Sequence, residues 1–249
     1  MSKDISKLLN EWEYDSFNHV RRIVGQDGKE KLQVRVELGI LQMEMDGRPD
    51  GKRPYGAKSL LDYYELLLQK HISQHGDDEG FTLGGEACED LRQEGLLYYQ
   101  RYVLFFELGD YERTARDTER NARLFDFVWK YAKDKKDAEA LEQYRAYIIR
   151  MNVAARALKD VQSRNYDSAM RRVRNAIQKI ENLPLTENPT FLFEKNRSLS
   201  VLRGMLKDLE SRKPPSKIDF LRKELARALN EERFEDAARL RDEINKLEG

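Results

Sequence analysis

The chain has 249 residues, 40% hydrophobic and 36% charged, with a mean hydropathy of −0.80. That length supports a buried core in one or two domains, and no apolar run approaches the ~18 residues that a membrane-spanning helix needs. Its 45 Lys and Arg balance 45 Asp and Glu, so any preference for a polyanion must come from local asymmetry, not from net charge. The lone cysteine, Cys88, leaves no intramolecular disulfide, and the start MSKDISKLLNEWEYD lacks the apolar stretch of a signal peptide. The cytoplasm is the expected compartment, with no membrane partner.

A first segment runs to residue 58. Val20 to Val24, the turn Gln26-Asp27-Gly28, and the alternating Leu32, Val34, Val36 and Leu38 predict a β-hairpin. The stretch from Asp46 to Gly56, DGRPDGKRPYG, offers glycines and cations to a phosphate. A phosphate loop, however, needs Gly-Lys-Ser/Thr ahead of a helix, and turn chemistry accounts for these residues without a ligand.

From Ser59 the pattern is helical. Ser59 caps a helix ending before Gly76, and others are predicted over 86–108, 110–132, 137–162 and 166–182, then to 212 after a break at 183–188. Leu141, Tyr144, Ile148, Met151, Ala155 and Leu158 keep helical spacing through the fourth. Gly109-Asp110-Tyr111-Glu112, Arg164-Asn165-Tyr166-Asp167 and Arg233-Phe234-Glu235-Asp236 are three similar bends. Each places an aromatic at the bend, an acid at the next helix start and a small residue (Ala115, Ala169, Ala237) on its inner face. The first two resemble degenerate tetratricopeptide-type hairpins, spaced too widely for a regular repeat.

Charge is unevenly distributed. From Arg145 to Ile180 there are nine Lys or Arg against Asp160 and Asp167, whereas Asp77 to Glu119 holds twelve acids against four Arg. Arg145, Arg156, Lys159, Arg164, Arg171, Arg172 and Arg174 form the best candidate for phosphate contacts, which would be salt-dependent and weakly sequence-selective. Alternatively, adjacent helical layers neutralise one another, or the faces are simply solvated.

Chemical candidates are sparse. His71 and His75 stand at i and i+4, a spacing suited to a metal, but no third ligand is evident and a helix C-terminus accounts for both. Cys88 has acidic neighbours that oppose thiolate formation. Tyr98, Tyr99, Tyr102, Phe105 and Phe106 read as core. No nucleophile, metal set or cofactor loop emerges, so the expectation is a non-catalytic chain without cofactor or metal.

Pro214-Pro215 isolates the last segment. Ser216 with Asp219 suggests an N-cap, and two short amphipathic helices follow, with stripes Ile218, Leu221, Leu225, Leu229 and Ala237, Leu240, Ile244, Leu247. Helices of about a dozen residues are marginal alone, so the stripes require each other and a further surface. Phe234 is expected to plug the bend. Leu221, Glu224-Leu225, Ala228 and the run FEDAARLRDEI over 234–244 resemble the UVR motif of the nucleotide-excision-repair subunits UvrB and UvrC. Similar motifs occur in McsA-type stress regulators and Clp-family ATPases. The chain lacks the helicase motifs and P-loop of UvrB, the endonuclease domain of UvrC and the paired CxxC motifs of McsA. Its layout resembles small bacterial UVR-motif proteins.

In that family the motif is a helical hairpin that associates with another hairpin or a partner protein, so the resemblance implies association and not a reaction. The expected fold is mainly α: stacked helical hairpins, a small N-terminal β-hairpin and a C-terminal UVR-like helical hairpin. The expected segments are 1–58, a tetratricopeptide-like body at 59–212 and a docking hairpin at 213–249. Leu225, Phe234, Ala238, Leu240, Ile244 and Leu247 would supply apolar contact to a protein partner or a second copy of the chain. Glu235, Arg241 and Asp242 would orient it. The alternative is an accessory factor in DNA repair or nucleic-acid metabolism acting through residues 145–180.

Overall fold

The computed structural model describes residues 4–184, 186–215 and 217–248. A short helix, α1 (Ser6–Glu11), precedes three antiparallel strands, β1 (Val20–Val24), β2 (Glu30–Val36) and β3 (Gly39–Glu44), in the order β1-β2-β3. Gly28, at φ 74°, donates to the Gly25 carbonyl at 3.0 Å and closes the first turn. The expected hairpin thus forms two strands of a three-stranded sheet. Leu38, expected to continue the strand alternation, instead lies in the second turn, between the paired Val36 and Gly39, and is 91% exposed. Arg35 fastens that turn: its buried guanidinium donates to the carbonyls of Trp12, Val36, Glu37 and Gly39. On one face Val20, Leu32, Val34 and Met43 are buried, sharing a core with Leu104 and Phe105.

The helices are α2 (Leu60–His75), α3 (Gly85–Glu107), α4 (Tyr111–Tyr131), α5 (Lys135–Glu142), α6 (Arg145–Gln162), α7 (Tyr166–Glu181), α8 (Pro189–Arg212), α9 (Lys217–Asn230) and α10 (Phe234–Glu248). Ser59 accepts from the Asp62 N–H at 3.1 Å, and left-handed Gly76 ends α2. The single helix expected over 137–162 is two. At the break Tyr144 leaves helical geometry (φ −103°, ψ 7°), and its N–H turns back to the Leu141 carbonyl at 2.9 Å. Gln143 Nε2 donates to the Ala140 carbonyl at 2.8 Å, satisfying the end of α5. Neither Gly nor Pro marks the break, and both Leu141 and Ile148 stay in the core on either side of it, so the apolar spacing survives.

α3 packs on α4, α4 on α6 and α6 on α7, which makes a stack of helical hairpins. The bends in α3/α4, α6/α7 and α9/α10 share one backbone geometry. Gly109, Arg164 and Glu232 adopt left-handed φ of 71°, 59° and 56°. The next N–H, of Asp110, Asn165 or Arg233, donates to Phe105, Asp160 or Ala228 at 2.8 Å in each case. This is the Schellman termination, which satisfies carbonyls the helix end leaves open. Asp110 and Asn165 then cap the following helix, accepting from Arg113 and Ser168 N–H groups. Thr114, Ala169 and Ala237 each lie five residues beyond the left-handed position and are buried. The small residue equivalent in the first bend is therefore Thr114, not Ala115.

Buried charges tie the turn-rich stretch to the helices. Glu94 accepts from the Leu60 and Leu61 N–H groups at 2.7 and 3.2 Å, capping α2 from another element, and pairs with Arg48 at 3.1 Å and with Arg120. Burial pulls the Arg120 guanidinium below its ordinary value, and Glu94 opposes that shift. Beside it Arg101 pairs with Asp117 at 2.7 Å and donates to the Glu44 carbonyl at 2.8 Å. Arg48 thus points inward, and the phosphate-loop reading of 46–56 gives way to a structural one.

Because the sheet shares its core with α3, the described residues up to Leu206 form one compact unit. A second runs from Lys207.

Candidate protein-docking site

Within the second unit, α9 and α10 form an antiparallel hairpin. Leu221, Ala237 and Ile244 of the two stripes are buried, together with Ala228, whereas the stripe residue Leu229 is not. Lys217 pairs with Glu243 at 2.8 Å across the open end. At the bend Arg233 holds Glu231 at 2.8 Å and Asp236 at 2.8 Å, while Arg227 pairs with Glu231 at 3.0 Å. The side-chain hydrogen bond from Arg227, then that from Arg233, lowers the Glu231 carboxyl below its ordinary value. The expected cap by Ser216 and Asp219 lies outside the described residues.

The predicted contact residues divide. Ile244 is buried, while Leu225 and Leu240 are half-buried. Phe234 does not plug the bend; it is 68% exposed, because the tight left-handed turn closes on backbone hydrogen bonds and leaves the ring outside. Leu247 is 45% exposed, and Glu235, Ala238, Arg241 and Asp242 are exposed. Leu229 and Phe220, at 52% and 59%, add apolar surface. Sequence reasoning placed Leu229 on the inner stripe and passed over Phe220; the available signal was an aromatic lying off that stripe. Phe234 and Leu229 flank the bend, and Phe220 and Leu247 lie toward the open end. α9 carries four Lys or Arg against two acids, and α10 three against five. The hairpin therefore sets a basic helix beside an acidic one.

The basic segment is largely neutralised within the stack. Arg145 pairs with Asp126 and Glu142, Arg156 with Glu119 at 2.8 Å, Lys159 with Glu112 at 2.9 Å, and Arg172 with Asp160 at 2.7 Å. α6 lies on α4, so the basic and acidic segments face each other. Arg164 is the left-handed turn residue, and Arg171 and Arg174 are exposed on α7. Of the seven cations expected to contact phosphates, four thus meet carboxylates of the same stack.

His71 and His75 stack at 4.2 Å, but each ring meets a backbone carbonyl, of Glu79 and His71. Among the described residues no group of three or more His, Cys, Asp or Glu is arranged to hold a metal. Burial, followed by Asp137 and Asp134, pushes the Cys88 thiol up to about 11. Among the described residues no helix is long and apolar enough to cross a membrane.

No curated protein and no solved structure matches the chain. The C-terminal hairpin is a UVR motif: residues 216–249 match the family model described as the UvrB/uvrC motif.

Proposed function

We propose that this chain is a non-catalytic cytoplasmic adaptor that docks a protein partner, or a second copy of itself, through its C-terminal UVR hairpin, with the tetratricopeptide-like body as scaffold. The observation that carries this reading is the division of apolar side chains. Leu221, Ala228, Ala237 and Ile244 serve the hairpin's own seam, while Leu229 and Phe234 stay more than half exposed at its bend. Exposed aromatics next to orienting charges are typical anchors of an interface, and the basic and acidic helices would fix the partner's direction. The nucleic-acid alternative loses support from the internal pairing of Arg145, Arg156, Lys159 and Arg172.

The test is affinity capture from a lysate of the source cell with the full chain and with its Leu229→Glu/Phe234→Glu variant, washed at low and high salt. Both substitutions lie on exposed positions and spare the seam. Loss of a discrete protein from the variant at either salt is the expected result. Equal recovery by both chains would reject the hairpin as the docking site, and salt-released nucleic acid from both would return the function to the body.

A further inference from the structure

The α5–α6 break has a second consequence. Gln143 and Tyr144 line a cleft of about 470 Å³ together with residues of α3, α4, α6 and the first half of α8. That volume falls within the roughly 300–1,000 Å³ of small-molecule sites. Its walls are aromatic: Tyr99, Tyr102, Phe125, Tyr144 and Tyr147 contribute, with Tyr99 and Tyr147 centroids 5.9 Å apart and Tyr99 and Tyr144 exposed at the rim. Burial pushes the Tyr102 and Tyr147 phenols above their ordinary values, so both stay protonated as hydrogen-bond donors.

Three charged residues line the cleft. Arg92 is committed to Glu89 through two bonds at 2.6 and 2.7 Å. Burial pulls the Arg150 guanidinium below its ordinary value and the charge of Glu194 opposes that shift, while Glu194 Oε2 and Arg150 Nη1 are buried with no hydrogen-bond partner among the described residues. Arg197 stands 6.0 Å over the Phe193 ring and has no ion pair among the described residues. The lining therefore holds one uncommitted cation beside an aromatic slot. One cation suits a single negative charge, whereas a nucleotide's phosphates call for several. We propose that this cleft binds a small planar aromatic acid, with the ring among the tyrosines and the carboxylate at Arg197.

Calorimetric titration of the full chain with indole-3-acetate, indole and tryptamine keeps the ring and varies the charge. The acid is expected to bind at millimolar concentration or below, about tenfold tighter than indole, with tryptamine weakest. Arg197→Gln should bring the acid to the level of indole and leave indole unchanged. Leu96→Trp, at a half-exposed rim position, should block all three, and Arg197→Gln keeps the test readable should that variant fail to fold. Absence of binding by the acid, equal binding of tryptamine and acid, or an acid affinity unmoved by Arg197→Gln would each overturn the proposal.

Discussion

Glu94 illustrates how much of this body rests on buried charge. Its carboxylate has no exposed surface and faces two guanidiniums as well as the amide ends of α2. Removing one partner of such a group strands the others without water, at a cost of about 3–5 kcal/mol. Glu94→Ala is expected to lower stability by that amount in urea unfolding; a loss below about 1 kcal/mol would show that Arg48 and Arg120 find other partners. Cys88 gives a pH prediction. Its thiol rises from an ordinary 9.0 to about 11 in the folded chain, so above pH 9 the unfolded state releases a proton that the folded state keeps. Its contribution to stability is intact below pH 9 and falls as pH rises toward 11. Iodoacetamide should leave Cys88 unmodified at pH 8 in the native chain and label it after denaturation; rapid native labelling would contradict this burial. The sequence showed acids near Cys88, but the larger cause is burial, and the acids that act are Asp137 and Asp134, brought by α5.

At the scale of elements, the bends were legible by their aromatics and acids but not by their backbone. Arg164 and Glu232 hold the left-handed position that glycine occupies at Gly109, and only a glycine there announces itself in sequence. A side chain in that region costs about 1–2 kcal/mol, partly offset by the unfolded-state freedom that glycine regains. Arg164→Gly should therefore raise stability by about 0.5 kcal/mol in chemical unfolding, and destabilisation would mean that the side chain contributes more than its backbone strain costs. The α5–α6 break escaped sequence reasoning because the core residues on both sides keep their spacing. The third strand escaped because β3, GILQME, buries mainly Met43 and shows weak alternation. Between α4 and α6 the Arg156–Glu119 and Lys159–Glu112 pairs lie at the surface. A double-mutant cycle on Arg156 and Glu119 should give a coupling below about 1 kcal/mol that shrinks with salt. A larger, salt-insensitive value would make these pairs determinants of the helix stack.

For the whole molecule, composition and helical spacing conveyed the mainly α class, and the FEDAARLRDEI run conveyed the motif, because a short hairpin is specified by contiguous residues. Long-range pairing was less legible. The charge asymmetry between 77–119 and 145–180 becomes internal complementarity only once α6 lies on α4. The inner and outer faces of the hairpin likewise separate only when α9 and α10 meet: Ile244 turns inward, while Phe234 remains outside. The adaptor account rests on that outer surface. Its most direct measurement is amide hydrogen exchange of the full chain, free and bound to its captured partner. The account predicts slowed exchange concentrated in 217–248 around the bend. Unchanged exchange there, with protection confined to α4–α7, would contradict it.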